Sequence, residues 1–277
     1  MRVADRQGRG GERRPAIGLL KGLASKEFWD DRHRRIRLKK ITPQPKKYYL
    51  DYELDRVFRR WLGSRRGQRL LEVGCGSSLW LPYFSKQFGM EVGGIDYSDV
   101  GLTLSREILR LNAVQGSLRK ADFRDGPGPD RESFDVVFSL GLVEHFEDPE
   151  LVLAILKGFV RRGGRLLTWL PNTAGVIPRI NPRLNRLYRG FYRRLDLATI
   201  RAYHEALGFD ILQSSYLQFL DLNFLTLTFL PGFLQKPLAL TFHGFGLFLI
   251  ALQKAVSRPV QSRLLCAGMI VVARRKD

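Results

Sequence analysis

The stretch from Arg69 to Asp96 constrains the fold more than any other part of this sequence. Leu70-Leu71-Glu72-Val73 reads as a short buried strand, Gly74-Cys75-Gly76 as a tight turn, and Leu79 to Phe88 as a helix. Twenty residues after Gly76, Gly94-Ile95-Asp96 closes a second apolar strand on an acid. Glycine has no side chain to obstruct a ligand and tolerates positive φ, so the turn lets backbone pass close to a bound group. The helix that follows offers free N–H groups at its start. A strand, turn, helix and strand ending in a carboxylate is the layout of a nucleotide-binding crossover, with the carboxylate set for ribose hydroxyls.

The alternation continues downstream. A helix is expected from Ser98 to Asn112, a weak strand over Ser117–Ala121, a loop at Gly126-Pro127-Gly128-Pro129, and an apolar strand over Phe134–Leu140. Asp148-Pro149 caps a helix to Arg162, because proline suits the first helical position, and Arg165–Leu170 is the next strand. Asp196 caps a helix to Leu207, and Phe209–Tyr216 and Ala267–Ala273 read as the last two strands. Such alternation implies an α/β protein with a mostly parallel sheet and helices on both faces. Upstream, Leu50, Leu54, Val57, Phe58 and Trp61 recur at helical spacing, giving a helix over Tyr48–Leu62 that covers a pocket or packs beside the sheet.

Charge and cysteine usage bound the surroundings. The formal net charge is +19, and between Met1 and Arg66 twenty Lys/Arg stand against eight Asp/Glu. Arg161 to Arg201 carries ten Arg against one Asp. Fields of this kind attract polyanions, either nucleic acid or anionic lipid, although an Arg-rich soluble protein has the same composition. Cys75 and Cys266 give no disulfide framework, which fits a reducing, cytoplasmic compartment. The Arg- and Gly-rich start has no long apolar core, so no secretory signal is expected. Residues 1–45 read as a basic, flexible extension, and 46–277 as one domain.

Three features separate this chain from the dinucleotide-binding pattern. Leu79 stands where a third glycine or alanine is expected, Asp122-Phe123 follows the third strand, and Glu144-His145 follows the fourth. With Glu72 two residues before Gly74, these residues resemble the class I S-adenosylmethionine-dependent methyltransferases, most nearly the small-molecule branch that contains the ubiquinone and menaquinone pathway enzymes. The resemblance implies a Rossmann-like, doubly wound, seven-stranded sheet whose last strand is antiparallel, with S-adenosylmethionine as methyl donor. It assigns the amino-acid part of the donor to backbone at Gly74, Cys75 and Gly76. Glu72 then anchors that loop or the methionyl amine, Asp96 takes the ribose hydroxyls and Tyr97 lies against the adenine. Asp122 takes the adenine amine, Phe123 offers its N–H to the ring, and Leu140 lines the methionine side. Taken singly, Asp96 also reads as a helix cap and Asp122 as a turn residue.

Methyl transfer from a sulfonium needs alignment and exclusion of water, and a base only where the acceptor must lose a proton. His145 is the sequence candidate for base or orienter; alternatively, Glu144 and His145 merely shape the loop before Asp148. Quinone-pathway relatives with a metal-binding motif carry another acid just upstream, where this chain has Gly141-Leu142-Val143, so no metal is expected. Two insertions bear on the acceptor: a basic amphipathic helix at about 181–195 and an apolar stretch at about 222–256. The apolar stretch is broken at Pro231-Gly232 and Pro237, so neither half reaches the roughly 20 residues of a spanning helix. The expectation is a small hydrophobic or lipid-linked acceptor and an enzyme peripheral to the inner face of the membrane. The insertion reads equally as a lid or a dimer interface. RNA methylation on the basic patches, and a non-catalytic cofactor-binding protein, stand as alternatives.

Overall fold

The computed structural model describes residues 20–38, 41–63, 65–180, 190–225, 227, 230–256 and 260–277. Seven strands form one sheet: β1 (Arg69–Val73), β2 (Glu91–Asp96), β3 (Gly116–Lys120), β4 (Phe134–Leu140), β5 (Val160–Pro171), β6 (Phe209–Phe219) and β7 (Cys266–Arg275). Their order is β3-β2-β1-β4-β5-β7-β6. β1 to β5 pair in parallel, and β7 runs antiparallel to both β5 and β6. The expected Rossmann-like sheet with its antiparallel last strand is therefore present.

Helices α1 (Lys26–Arg34), α2 (Tyr49–Leu62), α3 (Trp80–Phe88), α4 (Asp99–Leu111), α5 (Pro149–Phe159), α6 (Ile177–Ile180), α7 (Leu197–Ala206) and α8 (Gly232–Ala255) complete the described elements. Their starts follow the capping residues. The side chains of Ser98, Asp148 and Asp196 accept from the N–H groups of Gly101, Leu151 and Thr199.

Successive strand residues point to opposite sides of the sheet, and the core divides accordingly. Leu71, Val137, Leu166 and Val271 join one buried cluster, beneath α5 and α7. Their neighbours Leu70, Val136, Leu167 and Ile270 join the other, beneath α2 and α3. There Phe58 of α2 meets Trp80 at 5.2 Å and Phe138 at 5.4 Å between ring centroids. α2 is thus part of the core rather than a loose cover.

Three expectations change. Residues 20–34 are not a free tail: Leu20 is buried in the main core, Leu23 donates its N–H to the His145 carbonyl at 2.7 Å, and α1 packs on α4. The apolar stretch is not broken at Pro237, which lies within the first two turns of one continuous 24-residue helix, α8. As the sixth helical residue Pro237 forfeits the bond to the Phe233 carbonyl, and the helix nevertheless continues through it. By length and composition alone α8 is able to cross a membrane. Third, most of the basic helix expected at 181–195 falls on residues 181–189, outside the described set; Gly190 and Phe191 are helical and Tyr192 to Asp196 are not.

Candidate cofactor and acceptor site

The glycine turn lies where β1 ends. Gly74 and Gly76 have φ of +72° and +41°, in the left-handed region that favours glycine. The N–H groups of Gly74 and Cys75 donate to the Ile95 carbonyl at 2.9 and 3.1 Å, which ties the turn to β2. Cys75 points its thiol into the core against Gly94, so the turn faces a ligand with backbone alone. Beneath it Glu72 is buried and accepts from the Ser78 hydroxyl, whose oxygen accepts in turn from the N–H groups of Trp80 and Leu81 at 3.0 and 3.3 Å. Ser105 donates to the Gly76 carbonyl at 2.5 Å. Of the two roles offered to Glu72, the geometry matches the anchor of the loop. Burial pushes its carboxyl up to about 8.

Asp96 ends β2 beside this turn. Its Oδ2 accepts the Gly76 N–H and its Oδ1 the Ser98 N–H, both at 2.7 Å. Burial raises its pKa, and these two donors offset burial only in part. A carboxylate offers about four lone-pair positions. With the Tyr97 N–H also acting on it, the carboxylate keeps acceptor capacity for a ribose hydroxyl. The residues present therefore fit an adenosyl group at this edge, and S-adenosylmethionine supplies a methyl already activated on a sulfonium.

Tyr97 is half-buried beyond Asp96, its phenol pushed up by burial. Asp122 caps the turn Phe123–Asp125 and pairs with Arg124, Nη2 to Oδ2 at 2.5 Å. Burial works to raise the Asp122 carboxyl, and the Arg124 guanidinium outweighs it, holding Asp122 below its usual range. Phe123 is buried edge-to-face against Phe146 at 5.3 Å. These residues border the β2–β3 edge.

At the end of β4, Gly141 has φ +65° and Leu142 packs on Gly74, linking the two turns. Glu144 and His145 are both buried in the short helical turn Val143–His145. His145 places Nδ1 2.8 Å from the Phe191 carbonyl, so Nδ1 carries the proton and donates. Its ring lies between Trp29 at 4.8 Å and Tyr192 at 4.4 Å. Burial lowers it to about 4, leaving it neutral at pH 7. That arrangement suits the orienting role better than the role of base.

Sequence reading missed α1 as part of the site. Asp30 accepts from the Ser98 hydroxyl at 2.5 Å and from Lys26 at 2.7 Å, seating the helix over the start of α4. His33 then lies across the glycine turn: a Cβ placed on Gly76 would stand 2.6 Å from its imidazole. Ser25, which caps α1, was the available signal.

This geometry has known counterparts. Residues 71–168 match the methyltransferase domain family. The chain carries a class I S-adenosylmethionine-dependent methyltransferase domain. It is 36% identical over 104 residues to the phosphatidylethanolamine N-methyltransferase of Cereibacter sphaeroides, covering 37% of this chain and 50% of that protein. It is 29% identical over 144 residues to the ubiquinone biosynthesis O-methyltransferase of Alkalilimnicola ehrlichii, covering 52% and 54%. The chain thus spans about half the length of these curated relatives. The fold is shared with phosphoethanolamine N-methyltransferase 2 of Haemonchus contortus, solved in complex with S-adenosylmethionine, at TM-score 0.52 and 19% identity over 80% of this chain and 52% of that one.

Proposed function

We propose that the protein transfers the methyl group of S-adenosylmethionine to a small hydrophobic or lipid-linked acceptor. The observation that carries the donor half is Asp96, a buried carboxylate with spare acceptor capacity beside a left-handed glycine turn. Asp96 holds the ribose and backbone at Gly74, Cys75 and Gly76 passes the amino-acid end. Tyr97, Asp122 and Phe123 border the adenine, and Leu140 lines the methionine side. α1 excludes water above the turn, with Phe28 stacked on Phe191 at 4.7 Å. In-line displacement asks little more of a protein than such alignment.

Two observations support a hydrophobic acceptor. The relatives matched here are named for phosphatidylethanolamine and for ubiquinone biosynthesis. α8 also keeps Leu249, Ile250 and Gln253 buried against α2 while Phe233, Leu240 and Phe248 stay exposed. It carries two Lys and no acid. A helix anchored on one face and apolar on the other suits the surface of an anionic membrane, and this supports a site of action at the cytoplasmic leaflet.

The test is transfer of labelled methyl from S-adenosylmethionine to quinol, phenol and phosphatidylethanolamine probes in mixed micelles. Label in the organic phase is expected. Failure to label any probe, with no formation of S-adenosylhomocysteine, contradicts the reading. Flotation with anionic vesicles checks the location: binding at moderate salt is expected, and its absence removes the membrane from the account.

A further inference from the structure

The turn after β4 contains a carboxyl group that the roles above leave unused. Glu144 is 1% exposed, and its Oε2 has no hydrogen-bond partner among the described residues. A buried unpaired carboxyl oxygen costs free energy, so it calls for a partner that comes and goes with function. Its direction is set by Gly141: a Cβ there would lie 3.4 Å from Glu144 Oε1 and 4.0 Å from Trp169 Cζ3. The carboxyl therefore lies at the carboxyl ends of β4 and β5, where Leu140 pairs with Trp169. Ligands of such sheets sit outside the carboxyl ends of the strands. Leu142, on the same turn, touches Gly74, so this end adjoins the donor cradle.

Among the described residues, the basic side chain recorded against Glu144 is His145, its Nε2 3.8 Å from Oε1. His145 on the same turn is neutral, and Tyr192 presents a phenol whose pKa the Glu144 carboxyl helps to raise. Arg32 of α1 acts on His145 and Tyr192, while Arg193 reaches Glu144 only with its backbone N–H, 2.6 Å from the Glu144 carbonyl. Burial accordingly pushes the carboxyl up to about 8, offset in part by its own backbone N–H. A carboxyl that titrates near neutrality is matched to accepting a proton at working pH.

We propose that Glu144 is the proton acceptor of the methyl-transfer site, receiving the proton of an O–H or N–H acceptor. The inference rests on the methyltransferase reading above. As the acceptor lone pair bonds to the methyl carbon, the carbon–sulfur bond breaks with its electron pair left on sulfur. The acceptor proton passes to the Glu144 carboxylate and from there to solvent. The donor's positive charge beside Glu144 favours the ionised carboxylate, so the base forms as the donor binds.

The experiment compares S-adenosylmethionine with S-adenosylhomocysteine, which lacks the sulfonium charge, by calorimetry in buffers of different ionisation heat. Glu72 and Asp96 face parts common to both ligands, so the difference between ligands isolates the sulfonium. At pH 7.5 the methyl donor is expected to release more protons on binding than its product. The donor-to-product affinity ratio rises about tenfold from pH 6.5 to 8. Glu144→Gln flattens that rise, and Glu144→Asp keeps it with a shifted midpoint. No difference between the ligands in the wild type, or one that persists in Glu144→Gln, overturns the proposal. A wild type that binds neither ligand overturns the methyltransferase reading instead.

Discussion

At the β1–β2 end of the sheet the carboxylates are tied to their neighbours before any ligand arrives, with His33 Nδ1 left buried and unpartnered among the described residues. Asp96 holds the backbone of Gly76 and Ser98, Glu72 holds Ser78, and Asp30 holds Ser98. At the β4–β5 end such groups are more numerous: Ser139 Oγ, Glu144 Oε2 and Trp169 Nε1 are buried without partners among the described residues. The first region is preorganised for a constant cofactor. The second keeps hydrogen-bonding capacity free for a molecule the rest of the site does not define. Preorganised donors need no rearrangement on binding, whereas unpaired buried groups reward the ligand that satisfies them.

The contrast is broken first at its glycines. Gly76→Val adds bulk at φ +41° against His33 and is expected to lower S-adenosylmethionine affinity by more than about 100-fold, about 3 kcal/mol. Gly141→Ala, at φ +65° but with its nearest neighbour at 3.4 Å, should cost about 1 kcal/mol of stability and leave donor affinity within about threefold. Calorimetry and urea unfolding read both, and equal loss of donor affinity would erase the distinction.

The two buried carboxyls come next. Glu72 and Glu144 both titrate at about 8 in the folded protein, against about 4.3 when unfolded. Their pKa is raised by folding, so their contribution is fully present below pH 4.3 and is lost as pH rises through 8. Each steepens the decline by at most about 1.4 kcal/mol per pH unit. Urea unfolding between pH 5.5 and 8 should show flatter curves for Glu72→Gln and Glu144→Gln, and parallel curves would refute the burial argument.

The α1 cover allows a sharper test. Gly76→Ala should cost at least about 1 kcal/mol less in a His33→Ala background than in wild type, because the imidazole is the group its Cβ meets. Additive costs would place α1 elsewhere. The smallest effect on stability belongs to α8: Phe233→Ser with Phe248→Ser should leave Tm within about 2 °C, since both side chains are exposed. Vesicle binding should nevertheless fall about tenfold, and unchanged flotation would detach α8 from the membrane.

What the sequence made legible follows the same division. β1, β2, β4 and β5 were readable because a buried parallel strand is a short apolar run bounded by glycine or an acid, whereas β3 is exposed and polar and read only weakly. β4 appears with the boundaries expected. Asp96 and the glycine turn stood at fixed spacing within one local unit. α1 was hidden because its sequence is mostly charged and its place depends on Asp30 meeting Ser98, 68 residues away. α8 was misread as two pieces because Pro237 was weighed as a breaker, whereas the helix runs on through it. The free oxygen of Glu144 and the fixed tautomer of His145 depend on Phe191, Tyr192 and Trp169, contacts that no spacing rule reports.

The central claim is that Asp96 holds the methyl donor. Calorimetry of S-adenosylmethionine binding to wild type and Asp96→Ala tests it most directly. If Asp96 holds the ribose, removing its buried carboxylate should weaken binding about 100-fold, with the fold retained by circular dichroism. Equal affinity in the two proteins would contradict the assignment.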